Sequence, residues 1–468
     1  MKRSVSLIVV FAVILSVILL CGCKMEKGAR YIYTEGVKAV MDAEEISYDL
    51  KFSIGDSEYE MNVISADKGN KKNINLSSKN GDFEIYIDGN EHYYKTGDIK
   101  YKVSDEFDSP LMRGLLNMRF FNGEASLFDK DTFSDVDIEV LGENSKAITF
   151  EVEGSDLKKS FAPDEDVRFE NTVIRVEFSG ESFITKVSFA TVISGKEFYG
   201  LPVGNEFDME VSFEVLKLNG DSVVNEPENK NDWDELPAFA MLVPASLVYK
   251  DSMGLDVNTQ INVSMGKIQM SVPMEVVMRS KLVDGKRLTR VITEMENNSV
   301  TQKNDVFTDG NGDFEYYTDP EGNYKVKIED GESDEGISSD LIELYDLKNA
   351  KIKKSSANTV ITVELTEEML SKLGSSGAMS DQMGDFSADG MKYEKSELVI
   401  IVSSDGYIAS AETKISGTQS VNQPQLGTEY TLSLTIKMDV VFVHPSENIE
   451  VEIPSGYLDY PLLEDNEA

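Results

Sequence analysis

Alternation governs this chain. From Tyr430 to Val440 the residues Tyr430, Leu432, Leu434, Ile436, Met438 and Val440 are apolar, and those between them, Thr431, Ser433, Thr435, Lys437 and Asp439, are polar. Successive side chains of a strand point to opposite faces, so this run can gather its apolar groups on one surface only as a β-strand with one dry and one wet face. A helix would scatter them around its circumference. Phe207 to Val215 and Ile46 to Ile54 alternate in the same way.

Shorter alternating runs follow the first strand, through Tyr59–Ile64, Lys72–Ser77, Phe83–Ile87, His92–Lys95 and Lys100–Val103, divided by turn pairs such as Asn80-Gly81 and Asp88-Gly89. Short strands joined by tight turns predict an antiparallel meander. Helical spacing precedes it over Tyr31–Ala43 and follows it in the segment Pro110–Phe121, with Leu111, Leu115, Leu116 and Met118, and over Ser155–Phe161.

The pattern then recurs. Asn80-Gly81-Asp82-Phe83-Glu84-Ile85-Tyr86 returns as Asn311-Gly312-Asp313-Phe314-Glu315-Tyr316-Tyr317, Ile148–Val152 as Ile361–Leu365, Ile193-Ser194-Gly195 as Ile415-Ser416-Gly417, and Glu206-Phe207 as Glu429-Tyr430. Collinear matches predict a tandem duplication in which each copy closes its own core. The expected organisation is a signal peptide over 1–22, a tether over 23–30, a first domain over 31–218, an acidic linker over 219–235, a second domain over 236–455 and an acidic tail over 456–468.

With its leading helix, strand meander and inserted helices, each copy resembles the LolA and LppX/LprG-like bacterial lipoproteins, and the whole resembles two-copy lipoproteins of Gram-positive bacteria. The resemblance implies an α+β fold: a curved antiparallel sheet, or half-barrel, repeated in tandem with helices covering its concave face. It also implies a hydrophobic cavity and a lipid-carrying role. It rests on pattern and carries no catalytic set onto numbered positions.

The start of the chain speaks to location. Lys2 and Arg3 precede the apolar run Val5–Leu20, which ends in Leu20-Cys21-Gly22-Cys23, the pattern of a lipoprotein signal with Cys23 as the lipidated residue. The run is shorter than the ~20 apolar residues of a spanning helix. A diacylglyceryl group on Cys23, with its palmitate-type chains, would tie the protein to the extracytoplasmic face of the cell membrane. Removing the signal leaves 43 basic against 84 acidic side chains, a net charge of −41. Such a surface repels nucleic acid and anionic headgroups, so the acyl chains must hold the protein in place.

Catalytic signatures are absent. His92 and His444 do not occupy equivalent places in the two copies, and no His-Glu-x-x-His, Gly-x-Ser-x-Gly or phosphate-loop motif occurs. Cys23 is the only cysteine in the mature chain, which excludes an intrachain disulfide. Asp309, Asn311 and Asp313 begin like a calcium loop, but Phe314 and Pro320 stand where such a loop needs glycine and glutamate, and a hairpin turn accounts for the same residues. The expectation is a non-enzyme with neither cofactor nor metal.

The suggestive chemistry is apolar. Ile268, Met270, Val272, Met274, Val276 and Met278 form one face of a strand, and methionine accommodates varied partners as well as filling cores. The Gly/Ser/Met-rich stretch 374–390, with Met379, Met383 and Phe386, could serve as a lid or as an inert loop. Met270, Met274, Met278, Met379, Met383 and Phe386 are therefore the ligand-cavity candidates. Two roles stay open: a carrier of a lipid or other hydrophobic small molecule, or a structural or protein-interaction lipoprotein with solid cores.

Overall fold

The computed structural model describes residues 28–463 apart from 118–127, 329–343, 367–369, 371–391 and shorter stretches of one to four residues. The chain forms two compact units, one of Met1–Glu106 with Met112–Glu235 and the other of Phe107–Leu111 with Leu236–Ala468.

In chain order the first part contains helix α1 (28–41), then β1 (Ile46–Ile54), β2 (Ser57–Ala66), β3 (Lys71–Ser78), β4 (Gly81–Asp88), β5 (Glu91–Thr96), β6 (Ile99–Ser104) and α2 (Pro110–Asn117). It continues with β7 (Asp137–Gly142), β8 (Ser145–Val152), α3 (Gly154–Phe161), β9 (Val167–Phe169), β10 (Thr172–Ser179) and β11 (Ile184–Gly195). The short β12 (Glu197–Phe198) and β13 (Leu201–Pro202), the long β14 (Phe207–Leu218) and the two-residue β15 (Asp234–Glu235) complete it. The sheet order is β15, β6, β5, β4, β3, β2, β1, β14, β11, β10, β8, β7, with β9 beside β11.

The second part opens with α4 (Pro237–Leu247) and continues through β16 (Ser252–Met265), β17 (Ile268–Val283), β18 (Lys286–Asn297), β19 (Val300–Thr308), β20 (Phe314–Asp319) and β21 (Gly322–Lys327). Then come β22 (Lys351–Lys354), β23 (Asn358–Leu365), β24 (Lys392–Tyr393), β25 (Ser396–Ser403), β26 (Ile408–Gln423) and β27 (Thr428–Phe442). Its order is β21, β20, β19, β18, β17, β16, β27, β26, β25, β23, β22, with β24 beside β26. Apart from β15, this repeats the order of the first sheet strand for strand.

The architecture is mostly β, which corrects the α+β expectation. Helices do not cover a concave face. Among the described helices α2 and α3 have 8 residues and α4 has 11, so each is only about 12–17 Å long at ~1.5 Å per residue. A sheet of a dozen strands at ~4.8 Å spacing is several times wider. Each helix accordingly meets its sheet locally: α3 seats on β9, and α4 touches β26 and the 3-10 turn Leu344–Asn349. Helix α1 packs Tyr33 among Phe128, Phe133 and Phe150, and a side chain at Gly36 would meet Phe178 and Ile184 at 2.9 Å.

Three of the four sequence matches occupy equivalent strands, β8 with β23, β11 with β26 and β14 with β27. The Ile-Ser-Gly pair marks where the short strands β9 and β24 dock, and at Gly195 a Cβ would stand 2.7 Å from Val167 Cγ1. The Asn-Gly-Asp-Phe match is displaced by one strand: it opens β4, the fourth strand counted from β1, and β20, the fifth counted from β16. A turn followed by alternation is common to both hairpins, and that shared local chemistry carries the likeness.

Residues 223–235, expected as a linker, form a strap across the wet face of the first sheet. Asn225 exchanges two hydrogen bonds with Asn73, its N–H donating to Oδ1 at 2.6 Å and its carbonyl accepting from Nδ2 at 2.9 Å. Lys230 bridges Asp88 at 3.2 Å and Glu226 at 3.1 Å and lies over the Tyr86 and Tyr93 rings. Burial works against its charge, yet the bonds to Glu226 and Asp88 hold its proton above the usual lysine range. The strap ends as β15, parallel to β6.

Residues 449–463 repeat the device on the second sheet. Arg290 donates to Asp305 through Nε at 3.0 Å and Nη2 at 2.7 Å, and through Nη1 to the carbonyl and carboxylate of Glu452. Tyr457 and Tyr460 pack against Tyr316, and Leu462 pairs in parallel with Lys325 of β21. Both straps contain a left-handed residue (Asn229, Gly456), a 3-10 turn and an aromatic residue in extended conformation (Trp233, Tyr460).

Candidate functional site

Cross-strand partners in a sheet share a face, so the register defines the surface around the methionines of β17. Met274 pairs with Thr259 of β16 and Met295 of β18, and Thr259 in turn pairs with Met438 of β27. Met270 lies against Val263, and Met278 against Leu255 and Val291. Continuing outward, Val291 faces Val306 and Val306 faces Tyr317. Met270, Met274 and Met278 thus belong to one continuous apolar face, opposite the face that carries the strap.

Burial across that face is uneven. Leu432, Leu434 and Ile436 of β27 are buried, whereas on β17 Ile268 is 64% and Met270 47% exposed, and Val272, Met274, Val276 and Met278 are half-buried. The equivalent strand of the first unit contrasts with it: in β2, Tyr59, Met61 and Val63 are 7%, 4% and 0% exposed. Beside the exposed part of that face Thr259 is only 4% exposed, and its hydroxyl is buried without a hydrogen-bond partner among the described residues. An unsatisfied buried hydroxyl costs about 1–3 kcal/mol.

At its far end the face turns polar. Tyr317 and Tyr324 stack with ring centroids 5.2 Å apart, and their hydroxyls donate to Glu315 and Asp319. Burial, then the bond to Asp319, pushes the Tyr324 phenol up to about 12, and burial with Glu315 raises Tyr317 further, so both remain protonated donors. A long apolar strip ending in tyrosines and carboxylates suits an amphiphile better than a purely apolar molecule.

The other candidates, Cys23, Met379, Met383 and Phe386, lie outside the described residues. Sequence reasoning missed Thr259, Met295, Met438 and Tyr317 as members of the face. Each alternates within its own strand, and only the register joins them. The histidines fall in separate units: His92 is buried within the first sheet beside Tyr94, and His444 Nε2 lies 3.2 Å from Asp405 Oδ2. Asp309 accepts hydrogen bonds from the N–H and side-chain amide of Asn311, as a turn requires.

No protein-family model matches the chain, and no curated protein matches it in sequence. Among solved structures, LprF from Mycobacterium bovis is similar with a TM-score of 0.28 and 9% identity, over 43% of this chain and 97% of that one. A DUF1329 family protein from Desulfovibrio piger is similar with a TM-score of 0.19 and 11% identity, over 48% of this chain and 98% of that one. At these scores neither carries an argument about fold or function. No described helix is long and apolar enough to cross a membrane.

Proposed function

We propose that this chain is a lipoprotein anchored through Cys23 at the extracytoplasmic face of the cell membrane, where its second unit holds a lipid or other amphiphile against the face centred on Met274. The role is binding, with no catalytic step. The observation that carries the reading is the accessible apolar face of β17, set against the buried equivalent face of β2. The anchor rests on Leu20-Cys21-Gly22-Cys23.

Met274→Trp tests the site. On an open face the indole occupies ligand space, so lipid retained through purification, read by native mass spectrometry and solvent extraction, should fall while the unfolding midpoint stays within ~0.5 kcal/mol. In a solid core it would overpack at about 1–3 kcal/mol. Lost stability with no lipid in either protein would end the carrier reading and favour a structural or interaction role. The anchor has its own test, since Cys23→Ala should move the protein out of the membrane fraction. An unprocessed mutant that still pellets with membranes would show that the apolar run itself is the anchor.

A further inference from the structure

The strap of the first unit encloses a cleft that the lipid-binding reading does not use. It lies on the wet face, between residues 225–233 and strands β3 to β6, with a volume of about 540 Å³. This falls within the ~300–1,000 Å³ of small-molecule sites. Its floor is polar: Asn75 pairs across to Glu84, Glu84 to Lys95 and Lys95 to Lys100. Trp233 and Pro227 of the strap supply apolar lining.

The lining groups differ in what they are already bound to. Glu84 and Lys95 form an ion pair. The phenols of Tyr86 and Tyr93 donate to Asp88 and Glu91, and burial first, then these carboxylates, pushes both up to about 12, so they serve to seat the strap. The Asn75 amide and the indole N–H of Trp233 have no hydrogen-bond partner among the described residues, and Lys100 Nζ stands 6.0 Å from the centre of the Trp233 ring. The site therefore offers an amide, an indole N–H and an ammonium beside an aromatic face.

Ligand classes can be weighed against that set. A strongly anionic ligand meets Glu84, Glu226 and Glu228 with one lysine already neutralised, inside a chain of net charge −39. An apolar ligand would strand the floor groups without water. A neutral polyhydroxylated ring satisfies both requirements, because its C–H face packs on an indole while its hydroxyls donate and accept at the edges. We propose that this cleft binds a neutral glycan, with Trp233 as the stacking residue and Asn75 as a hydrogen-bonding residue.

Trp233 is the single tryptophan of the chain, so its fluorescence reports on the cleft directly. The full chain in a sugar-free zwitterionic detergent would be titrated with maltotetraose, cellotetraose and chitotetraose at up to millimolar concentrations. At least one should give a saturable change in emission, and Asn75→Ala, a change at an exposed side chain, should weaken it about tenfold, the factor for one hydrogen bond. Lys146→Met, on β8 and outside the cleft, should leave the affinity unchanged. No saturable response to any of the three sugars overturns the proposal. So does a response that Asn75→Ala leaves intact, or one that Lys146→Met lowers equally.

Discussion

Gly154→Ala should destabilise the first unit by at least the upper part of the ~1–3 kcal/mol range for overpacking. Gly154 begins α3 where the helix seats on β9, and a Cβ built there would stand 1.8 Å from the carbonyl oxygen of Phe169 and 2.7 Å from its carbon. No rotamer can relieve that clash, since the obstacle is backbone. To make room α3 must lift, and Phe161 then loses its ring contacts with Phe169, Phe189 and Phe198. The hydrogen bond from the Gly154 N–H to Asn171 Oδ1, now 3.2 Å, lengthens with it. The measurement is the denaturant midpoint of the unit, with Gly142→Ala as the control. At Gly142 a Cβ meets nothing within 4 Å, and the expected change is within ~0.5 kcal/mol. Equal midpoints for the two variants would mean that α3 does not rest on the Phe169 carbonyl.

Arg290→Met should cost the second unit about 3 kcal/mol, the lower end of the range for breaking a buried ion pair. The lower end applies because the Arg290 and Asp305 side chains keep 19% and 12% of their exposure. The hydrogen bonds to Asp305 come first in holding the guanidinium proton above even the usual arginine range, with burial opposing. Without Arg290, the Asp305 carboxylate is left in a poorly hydrated place with its partner gone, and the strap loses both bonds at Glu452. Release of the strap has a local signature. The Lys325 N–H, which donates to Pro461 at 2.8 Å, should exchange with solvent faster, while amides at the centre of β16 should respond only to the global change. Arg290→Met with Asp305→Leu removes both charges and should recover most of the stability. A double variant as unstable as the single one would place the loss in packing and not in the stranded carboxylate.

The strands were legible because their signal is local. Wherever one face is dry and the other wet, as in Tyr430–Val440, the sequence alternates, and β27 covers that run. The helices misled because apolar spacing at Leu111, Leu115 and Leu116 predicts a helix but carries no information on how much sheet it can cover. The straps escaped notice for a related reason: Asn219–Glu235 is polar and rich in charge, and what secures it is pairing with distant residues such as Asn73 and Asp88. The shifted Asn-Gly-Asp-Phe match is the sharpest case. Tyr86 and Tyr317 align in sequence, yet Tyr86 lies under the strap and Tyr317 on the face of Met278. A displacement of one strand can put matched residues on opposite surfaces, and only the hydrogen-bond register reveals it.

Parallel pairing of each strap with an outermost strand also bears on self-association. An open sheet ends in two rows of unpaired backbone groups, and each row is a template for adding a strand from another molecule. On one side of each sheet the strap lays a short parallel partner along the row, β15 on β6 and Leu462 beside Lys325. The remaining borders are protected differently. Strand β22 carries Lys351, Lys353 and Lys354, and β7 carries Asp137 and Glu139 with an irregularity in its register between Val140 and Gly142. Like charges keep a second copy away from such a border, and a bulge spoils the spacing that it would need to pair. Among the described residues, none of the four borders of these two sheets of a dozen or so strands therefore presents a long, flat, uncharged row for a second copy to pair with.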